Sequence, residues 1–225
     1  MCGRYAITMP AEAMRQLFHA RYEGLDWPPR FNIAPSQPVP FVRRAPDGSN
    51  EIAIARWGFH PSWMKEPPGA KSMINARSET AAEKPFFRDA MKKRRALLVA
   101  NGYFEWKRDG AVKTPFFIHA ANDEPLVFAA LWERWRDPEG DGSFIETVAM
   151  LTAAAHPSIS LIHDRMPVML SQDLANQWLD PTLPKEAAGF LIEAATAKPP
   201  RLDAYPVSRA VNSPGHDAPD VIMPA

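Results

Sequence analysis

Residues 96–119 read ALLVANGYFEWKRDGAVKTPFFIH. The first five form a continuous apolar run, which is typical of a strand buried on both faces. Asp109-Gly110 is a strong hairpin signal, so we expect residues 114–119 to return as the antiparallel partner. The stretch therefore predicts a buried strand followed by a hairpin. It also places one carboxylate, Glu105, between two aromatic residues.

Outside this hairpin, alternating or apolar segments predict six further strands, at residues 3–8, 38–43, 51–57, 126–132, 144–152 and 205–211. Helical patterns cover residues 10–20, 78–94 with an interruption at Pro85, 171–179 and 184–195. Short strands with helices inserted between them predict an α+β fold with a mostly antiparallel sheet or barrel, in one domain over residues 1–225. We expect the proline-containing tail from Asn212 to Ala225 to be irregular or frayed.

The composition excludes several classes of protein. The chain has 26 basic and 26 acidic residues, which argues against coating nucleic acid by bulk charge but leaves room for a local basic groove. The single cysteine excludes an intramolecular disulfide framework and suits a reducing compartment. No stretch approaches the roughly 18–20 apolar residues of a membrane span, and the first thirty residues lack signal-peptide features. We expect a cytoplasmic protein.

The single cysteine is Cys2, directly after the initiator Met1. Removal of Met1 would leave a free α-amine and a thiol on adjacent carbons, a 1,2-aminothiol. The amine can condense with an aldehyde to a Schiff base, and the thiolate can then close a five-membered thiazolidine ring. An α-amine titrates at about 7.7–8.0, so a useful share is neutral near physiological pH. Position alone does not separate such a nucleophile from a cysteine without a role.

Two further segments carry residue types suited to chemistry. Asn75 and Arg77 would share one face of an extended segment; the alternative is a helix entry capped by Asn75 or Ser78. Glu105 lies between Phe104 and Trp106, and partial desolvation would raise its pKa and suit it to proton transfer. The alternative is a strand position that faces solvent.

The segment His163-Asp164-Arg165-Met166-Pro167 offers a proton carrier and a planar cation. The alternative is a surface turn before the proline. His156 and His163 are seven residues apart, and neither an H-x-x-x-H motif nor paired cysteines are present. We therefore expect no metal site, and the lack of a glycine-rich phosphate loop leaves no cofactor indicated.

Six segments in order resemble the SRAP family, the SOS response-associated peptidase proteins that shield abasic sites in single-stranded DNA. The resemblance covers the length of the chain. It rests on MCGRY at residues 1–5, RFNIAPSQ at 30–37, WGFHPSW at 57–63, NARSET at 75–80, NGYFEW at 101–106 and HDRMPV at 163–168. Asn101 stands where this family commonly has Asp, Phe59-His60 replaces a more aliphatic pair, and His156 stands where Asn is common.

The resemblance implies a β-barrel-like core with flanking helices and a covalent DNA–protein crosslink at the N-terminal cysteine. It also implies a peptidase-like removal of Met1 and lyase-type chemistry. The catalytic residues that it implies are Cys2, Asn75, Glu105 and His163. The DNA-binding residues that it implies are Arg4, Arg77 and Arg165 on phosphates, with Trp106 and Pro40 near the flanking bases.

Two other classes of function remain open from the sequence. An N-terminal nucleophile hydrolase would use the Cys2 thiol on an amide, with its own amine as the base. A non-covalent single-strand binding module would not need Cys2 at all. The expected partner is single-stranded DNA that contains abasic sites, and we expect a monomer without metal.

Overall fold

The structure, a computed structural model, describes residues 2–24, 26–69, 71–137, 140 and 142–225. The strands are β1 Tyr5–Ile7, β2 Ala20–Arg21, β3 Arg30–Ile33, β4 Pro38–Arg44, β5 Asn50–Trp57, β6 Asn75–Arg77, β7 Arg95–Ala100, β8 Gly102–Asp109, β9 Val112–Ala120, β10 Leu126–Arg136, β11 Phe144–Ala154, β12 Arg165–Pro167 and β13 Leu202–Pro206. The α-helices are α1 Ala11–Phe18, α2 Ser78–Ala81, α3 Arg88–Lys93, α4 Pro157–Ser160, α5 Gln172–Trp178 and α6 Lys185–Ala197, and two 3₁₀ helices span Arg209–Asn212 and Pro219–Ile222.

The larger sheet closes into a five-stranded barrel. Its strands follow the order β11-β10-β7-β4-β5, and a parallel pairing of β5 with β11 closes the ring at Thr147↔Arg56 and Val148↔Trp57. The barrel is filled by apolar side chains, which include residues 96–100 of β7, all of them buried. A strand buried on both sides requires a continuous apolar run, so the structure confirms the expectation for residues 96–100. The α+β fold with a barrel-like core is also confirmed.

A second, antiparallel sheet of five strands lies against the barrel in the order β13-β9-β8-β1-β3. Its inner face, which includes Tyr5 and Tyr103, joins the main core. Its outer face, which includes Phe104 and Phe117, forms a smaller apolar cluster that the C-terminal segment covers. The alternation along β8 therefore directs Tyr103 and Glu105 inward and Phe104 and Trp106 outward.

Two glycines shape the hairpin of this second sheet. Gly110 has a φ of 56°, in the left-handed region that favours glycine, and lies in the turn that joins β8 to β9. At Gly102, an added Cβ would lie 2.4 Å from Cζ of Phe117 and 2.7 Å from the carbonyl oxygen of Ile118. Only glycine permits this close approach, which sets the start of the strand that carries Glu105.

The helical pattern over residues 78–94 is interrupted around Pro85, as expected, and forms two short helices, α2 and α3. Another sequence-based expectation is wrong in detail. The expected strand over residues 205–211 ends at Pro206 and continues into the first 3₁₀ helix. The short strands β2, β3, β6 and β12 have no clear alternation in the sequence. Pairing with other strands defines them: β2 with β5, β3 with β1, and β6 and β12 with β11.

The C-terminal tail is not frayed. Val211 and Val221 are fully buried, and Val207 forms an isolated bridge with Pro224. Asp217 accepts hydrogen bonds from the backbone N–H groups of Phe31 and Asn32 at 2.5 and 2.9 Å. The composition does not predict the packing of the tail. Prolines prevent long helices and strands but do not prevent a segment from packing on the face of a sheet.

No helix in the described part of the chain is both long and apolar enough to cross a membrane.

Candidate functional site

Cys2 is buried at the junction of the barrel and the second sheet. Its side chain has no exposed surface and belongs to the main core cluster. The Sγ atom lies 3.6 Å from the carbonyl oxygen of Arg4, to which the thiol donates. Burial, followed by the negative charge of Glu105, raises the pKa of the Cys2 thiol. The resting side chain is therefore a neutral thiol, and deprotonation needs a base nearby.

Glu105 is that nearby carboxylate. It lies on the inner face of β8 and is only 3% exposed. Burial raises the pKa of the Glu105 carboxyl from its ordinary value to about 7. A carboxyl with this pKa can both give and take a proton near neutral pH, which is what a general acid–base group requires. The expectation of a desolvated glutamate at this position is confirmed, and the solvent-facing alternative is wrong.

Asn75 holds the backbone of Cys2. It begins β6, which pairs in parallel with β11 at Met150. Its side-chain Nδ2 donates to the carbonyl oxygen of Cys2 at 2.7 Å. Its Oδ1 is buried and accepts no hydrogen bond from any residue of the described ranges. The segment is extended at this point, so Asn75 is a strand residue and not a helix cap.

His163 approaches Glu105 from the loop before β12. Its Nε2 lies 3.8 Å from Oε2 of Glu105. Its Nδ1 accepts from the backbone N–H of Arg165 at 3.0 Å, which assigns the proton of the neutral ring to Nε2, on the side of Glu105. Burial lowers the pKa of His163, while Asp164, at 3.0 Å from Nδ1, acts in the opposite direction. The ring is placed to pass a proton into the gap between the two side chains.

Two tyrosines border the cysteine. Tyr5 and Tyr103 are direct partners in the antiparallel pairing of β1 with β8, and neither has exposed surface. Both hydroxyls are buried, and neither has a hydrogen-bond partner within the described ranges. Burial, followed by the charge of Cys2, raises the pKa of Tyr5 and of Tyr103, so both phenols stay protonated.

The three arginines assigned to phosphate binding, Arg4, Arg77 and Arg165, are held to different degrees. Arg77 is exposed at the end of β6. Arg165 is held by Glu79 in a two-bond ion pair, with Nη1–Oε1 and Nη2–Oε2 distances of 2.6 and 2.9 Å. Arg165 also donates to the carbonyl oxygen of Thr152 at 2.6 Å. Arg165 would thus have to exchange a carboxylate for a phosphate to bind DNA, whereas Arg77 would not.

Arg4 and Trp106 both contact the C-terminal segment. Nη1 of Arg4 donates to Oδ1 of Asn32 at 2.9 Å and to the carbonyl oxygen of Val211 at 2.7 Å. Burial lowers the pKa of Arg4. Nε1 of Trp106 donates to Oδ1 of Asn212 at 2.8 Å, and the ring is partly buried. The tail therefore positions two of the residues assigned to DNA binding.

Pro40 does not lie where a base contact requires. It is buried within β4, opposite Ile54 of β5. A proline is tolerated there because β4 pairs with β7 only at Val42 and Arg43. Its burial argues against the assignment of Pro40 to DNA binding, because little of the residue is accessible to a base. The exposed proline of the nearby RFNIAPSQ motif is Pro35.

The described residues contain no group of three or more His, Cys, Asp or Glu side chains that could hold a metal ion. The chemistry that this arrangement can perform is proton transfer and nucleophilic attack. The site joins a thiol, a carboxyl with a raised pKa, an imidazole with its proton on the near nitrogen, and an amide that fixes the backbone.

The structure brings together four residues that the sequence separates widely: Cys2, Asn75, Glu105 and His163. Sequence reasoning missed Tyr5 and Tyr103, whose hydroxyls lie within apolar strand segments. It also missed Glu79, the partner of Arg165. The position of Glu79 within the NARSET motif could have indicated a role for it. The two tyrosines could have been noticed because each adds a hydroxyl to a strand whose other residues suit an apolar core.

Comparison with known proteins gives consistent results. The family described as SOS response associated peptidase (SRAP) matches residues 1–214. The abasic site processing protein YoqW of Bacillus subtilis is 34% identical over 228 residues, with 99% of each chain covered. The abasic site processing protein YedK of Escherichia coli is 32% identical over 229 residues, with all of both chains covered.

Solved structures show the same architecture. A protein from Bacteroides thetaiotaomicron superposes with a TM-score of 0.86 over the whole of both chains at 24% identity, which shows the fold alone. A protein from Bordetella bronchiseptica gives a TM-score of 0.75 at 28% identity over 92% of this chain and all of that one. The match over residues 1–214 and the near-complete alignment with relatives above 30% identity show that this chain belongs to the SRAP family.

Proposed function

We propose that this protein, once Met1 is removed, captures abasic sites in single-stranded DNA through Cys2 as a thiazolidine and so protects the lesion from strand cleavage. One observation carries the proposal: the cysteine that would become the N-terminus is buried beside Glu105, with His163 and Asn75 completing the cluster. Relatives at 32–34% identity are named abasic site processing proteins, and this agrees with the proposed substrate.

The first step is attack by the amine. A ring-opened abasic deoxyribose carries an aldehyde at C1′, and the neutral α-amine of Cys2 adds to that carbon. Water is then lost and an imine forms. Glu105, with a pKa raised to about 7, gives a proton to the departing oxygen and takes one from the nitrogen. His163 supplies a second proton from Nε2 toward the sugar oxygens.

The second step is ring closure by sulfur. The thiol proton passes to the Glu105 carboxylate, and the sulfur forms a bond to the imine carbon. The nitrogen takes the electron pair of the C=N bond and accepts the proton back from Glu105, so the thiazolidine is neutral. Because both nucleophiles belong to one residue, the step is intramolecular, and proximity alone accelerates it greatly. The product contains neither the aldehyde nor the imine through which β-elimination breaks the strand.

Asn75 fixes the geometry of both steps. Its hydrogen bond to the Cys2 carbonyl oxygen is 2.7 Å long and holds the backbone that carries the amine and the thiol. Its buried Oδ1, which has no acceptor role among the described residues, would accept from the liberated amine or from a sugar hydroxyl. A buried acceptor without a partner is costly, and a bound substrate would satisfy it.

Binding of the strand would depend on its backbone. Arg77, Arg165 and Arg4 would contact phosphates, while Trp106 offers a partly exposed ring for stacking on a base. Such contacts do not read sequence, so the lesion itself provides the specificity, since an intact nucleotide carries no aldehyde. Three arginines in one place are compatible with a net charge of zero.

The test uses protein whose intact mass shows that Met1 is absent. We expect a heat-stable, mass-shifted adduct at Cys2 after incubation with a single-stranded oligonucleotide that contains one abasic site. The same oligonucleotide with an intact base is the control and should give no adduct. Cys2→Ala keeps the amine and should yield only a species that needs borohydride to survive heating. A stable extension ahead of Cys2 should abolish capture, and undiminished capture with that extension would refute the proposal.

The same experiment separates the two other classes of function. Turnover of an amide without an adduct would favour an N-terminal nucleophile hydrolase. Unchanged binding and function in Cys2→Ala would favour a non-covalent single-strand binding module. The family description includes a peptidase, and removal of Met1 by the same cluster would fit it. Protein synthesised without aminopeptidase should then lose Met1 by itself, and Glu105→Gln should retain it.

A further inference from the structure

A cleft at one end of the barrel has no role in the chemistry described so far. It has a volume of about 810 Å³ and lies where β4 ends and β7 begins, beside Trp132 of β10. Six cationic side chains line it: Arg43, Arg44, Lys93, Arg94, Arg95 and Arg134. Four carboxylates lie in or next to it, namely Glu51, Glu133, Glu146 and Asp180. The cleft is therefore a concave surface with more positive than negative charge.

Most of these cations already have partners within the protein. The N–O distances of three ion pairs are 2.5 Å for Arg43–Glu51, 2.6 Å for Arg94–Glu133 and 2.7 Å for Arg134–Glu146. Arg95 is buried and donates to backbone carbonyl oxygens, among them those of Met91 and Trp178 at 2.9 and 2.7 Å. Arg95 therefore joins the ends of α3 and α5 and has little capacity left for a ligand.

Two cations of the cleft keep most of their donors available. Nη1 of Arg44 donates to the carbonyl oxygen of Gly48 at 3.1 Å, its one hydrogen bond within the described ranges. Lys93 is exposed at the end of α3 and forms neither a hydrogen bond nor an ion pair with the residues that the structure describes. Asp180 accepts from the hydroxyl of Thr182 at 2.7 Å, and its charge acts on Arg44 from a distance. Arg44 and Lys93 can therefore bind an external anion.

Arg94 gives a second indication of an anion. Its Nη2 is paired with Glu133, whereas its Nε is buried and has no acceptor among the described residues. A buried N–H group without an acceptor is costly, and an anion in the cleft would satisfy it. The antiparallel pairing of Arg43 with Ala96 places the end of β4 beside the start of β7. Arg44 thus lies next to the α3–β7 junction that carries the other two donors.

Strand β11 connects the cleft with the catalytic cluster. Glu146, which is paired with cations of the cleft, precedes Met150 by four residues, and Met150 is opposite Asn75 in the pairing of β11 with β6. Four strand residues span about 14 Å at about 3.4 Å per residue. A stacked DNA strand also advances about 3.4 Å per nucleotide. The cleft therefore lies at least about four nucleotides from a lesion held at Cys2.

We infer that this cleft, through Arg44, Lys93 and Arg94, is a second binding site for the phosphate groups of the DNA strand, several nucleotides away from the lesion. The contacts are made by guanidinium and ammonium groups, so they hold the backbone and do not read the sequence. A strand held at two places should bind more tightly than a strand that reaches only the catalytic cluster. The path of the captured strand rests on the proposed function, whereas the binding of phosphate groups in the cleft does not.

The first test measures binding without a lesion. Fluorescence anisotropy gives the affinity for an undamaged single strand of about twenty nucleotides, long enough to reach the cleft. We expect the double variant Arg44→Gln/Lys93→Gln to bind about fivefold more weakly at fixed salt and its salt slope to be smaller in magnitude by about 1.4, or about 0.7 per phosphate contact. Lys198→Gln/Arg201→Gln, which removes two exposed charges outside the cleft, is the control and should change neither value.

A charge-conserving variant tests whether charge is the cause. Arg44→Lys/Lys93→Arg keeps both cations and should keep the wild-type salt slope. Wild-type affinity and slope in Arg44→Gln/Lys93→Gln would overturn the inference.

The second test asks whether the captured strand itself reaches the cleft. Capture rates at subsaturating protein are compared for abasic strands of about five and about twenty nucleotides, each with the lesion at its centre. The short strand cannot reach the cleft from Cys2, so Arg44→Gln/Lys93→Gln should capture it at the wild-type rate, which also shows that the variant is folded. The same variant should capture the long strand about fivefold more slowly.

The outcomes for the cleft and for the proposed function are distinguishable. An equal loss of rate for both lengths, or no loss for either, would overturn the placement of the cleft on the path of the strand. The lack of an adduct with the wild type at both lengths would refute the proposed function and would leave the affinity comparison standing.

Discussion

At the scale of single residues, burial determines the chemistry. The thiol of Cys2 and the carboxyl of Glu105 are both removed from water, and both pKa values rise because their charged forms lose hydration. A surface cysteine beside a surface glutamate would have neither property. The pair therefore rests as a neutral thiol next to a carboxyl that is about half-protonated near pH 7.

The raised pKa of Glu105 has a consequence for stability. The folded state binds the proton more tightly than the unfolded state, so the free energy of unfolding should fall as pH rises from the ordinary value of 4.5 to about 7. Glu105→Gln removes this contribution. We expect the difference in the free energy of unfolding, variant minus wild type, to grow over that pH window in urea titrations. A difference that does not change with pH would contradict the assigned burial effect.

Glu105→Gln should also slow adduct formation. Loss of a positioned acid–base group typically costs about 10²–10⁴-fold in rate, so we expect a decrease of about 100-fold at pH 7, measured by denaturing gel. Glu124→Gln changes an exposed carboxylate near the turn after β9 and serves as the matched control. A rate for Glu105→Gln within threefold of the control would exclude proton transfer through this residue.

Glu79 restrains one of the arginines proposed to bind DNA. Its ion pair with Arg165 at 2.6 and 2.9 Å occupies the groups that would otherwise contact a phosphate. Glu79→Gln should therefore tighten binding of an undamaged single strand by up to about fivefold, since an exposed ion pair contributes about 0.2–1 kcal/mol. Fluorescence anisotropy at fixed salt measures this, and weaker binding would show that the ion pair orients Arg165 for DNA.

At the scale of elements, short strands attached to long ones assemble the site. β6 brings Asn75 to the barrel through its pairing with β11, and β12 brings the His163 loop to the other side of the same strand. β8 carries Glu105, and the segment before β1 carries Cys2. The long strands stabilise the fold through their buried faces, and the short strands position the side chains of the site.

The C-terminal segment is one such attached element. Asp217 accepts from Phe31 N and Asn32 N and forms an ion pair with Arg30, and the neighbouring Asn32 side chain holds Arg4. Asp217→Ala should cost about 1.5–3 kcal/mol in the free energy of unfolding, the typical value of hydrogen bonds to a charged group.

Hydrogen exchange provides the readout for the segment itself. We expect Asp217→Ala to increase exchange over residues 207–222 and leave the barrel strands protected. Asp220→Ala, which affects only an exposed pair with His216, is the control and should change little. Equal protection of the segment in both variants would show that apolar packing of Val211 and Val221 suffices to hold it.

At the scale of the whole molecule, the net charge is zero, and DNA binding would depend on a few arginines. Equal numbers of basic and acidic residues give no bulk attraction for DNA, so binding at the site would depend on the three arginines proposed to contact phosphates there, Arg4, Arg77 and Arg165. Binding of a single strand should therefore involve few phosphates and depend modestly on salt.

For a single strand, the logarithm of the binding constant should fall with the logarithm of salt concentration with a slope of about −0.7 per phosphate contact, or about −2 for three arginines. Arg77→Ala should reduce the magnitude of the slope by about 0.7. Arg136→Ala, at the far end of β10, should leave it unchanged. A slope near zero would exclude phosphate contacts as the basis of binding.

Much of this protein follows from its sequence by itself. The apolar run at residues 96–100 and the Asp109-Gly110 turn required a buried strand and a hairpin, because these are local consequences of hydrophobicity and backbone conformation. The α+β class and the barrel-like core follow in the same way, whereas the sequence left the burial of Glu105 open against a solvent-facing position. The NARSET and HDRMPV segments also indicated candidate site residues, because an amide, an imidazole and a guanidinium have the same chemical properties in any fold.

Only the tertiary structure decided the rest. The convergence of Cys2, Asn75, Glu105 and His163 depends on pairings between strands far apart in the chain, and the sequence does not encode those pairings locally. Four other features also depend on contacts between distant parts of the chain. They are the burial of Pro40, the packing of the tail after Asn212, the ion pair of Glu79 with Arg165 and the two unpartnered tyrosine hydroxyls. Whether a residue is buried and whether its polar atoms are hydrogen-bonded depends on residues from the entire chain, so a short stretch of sequence does not determine either property.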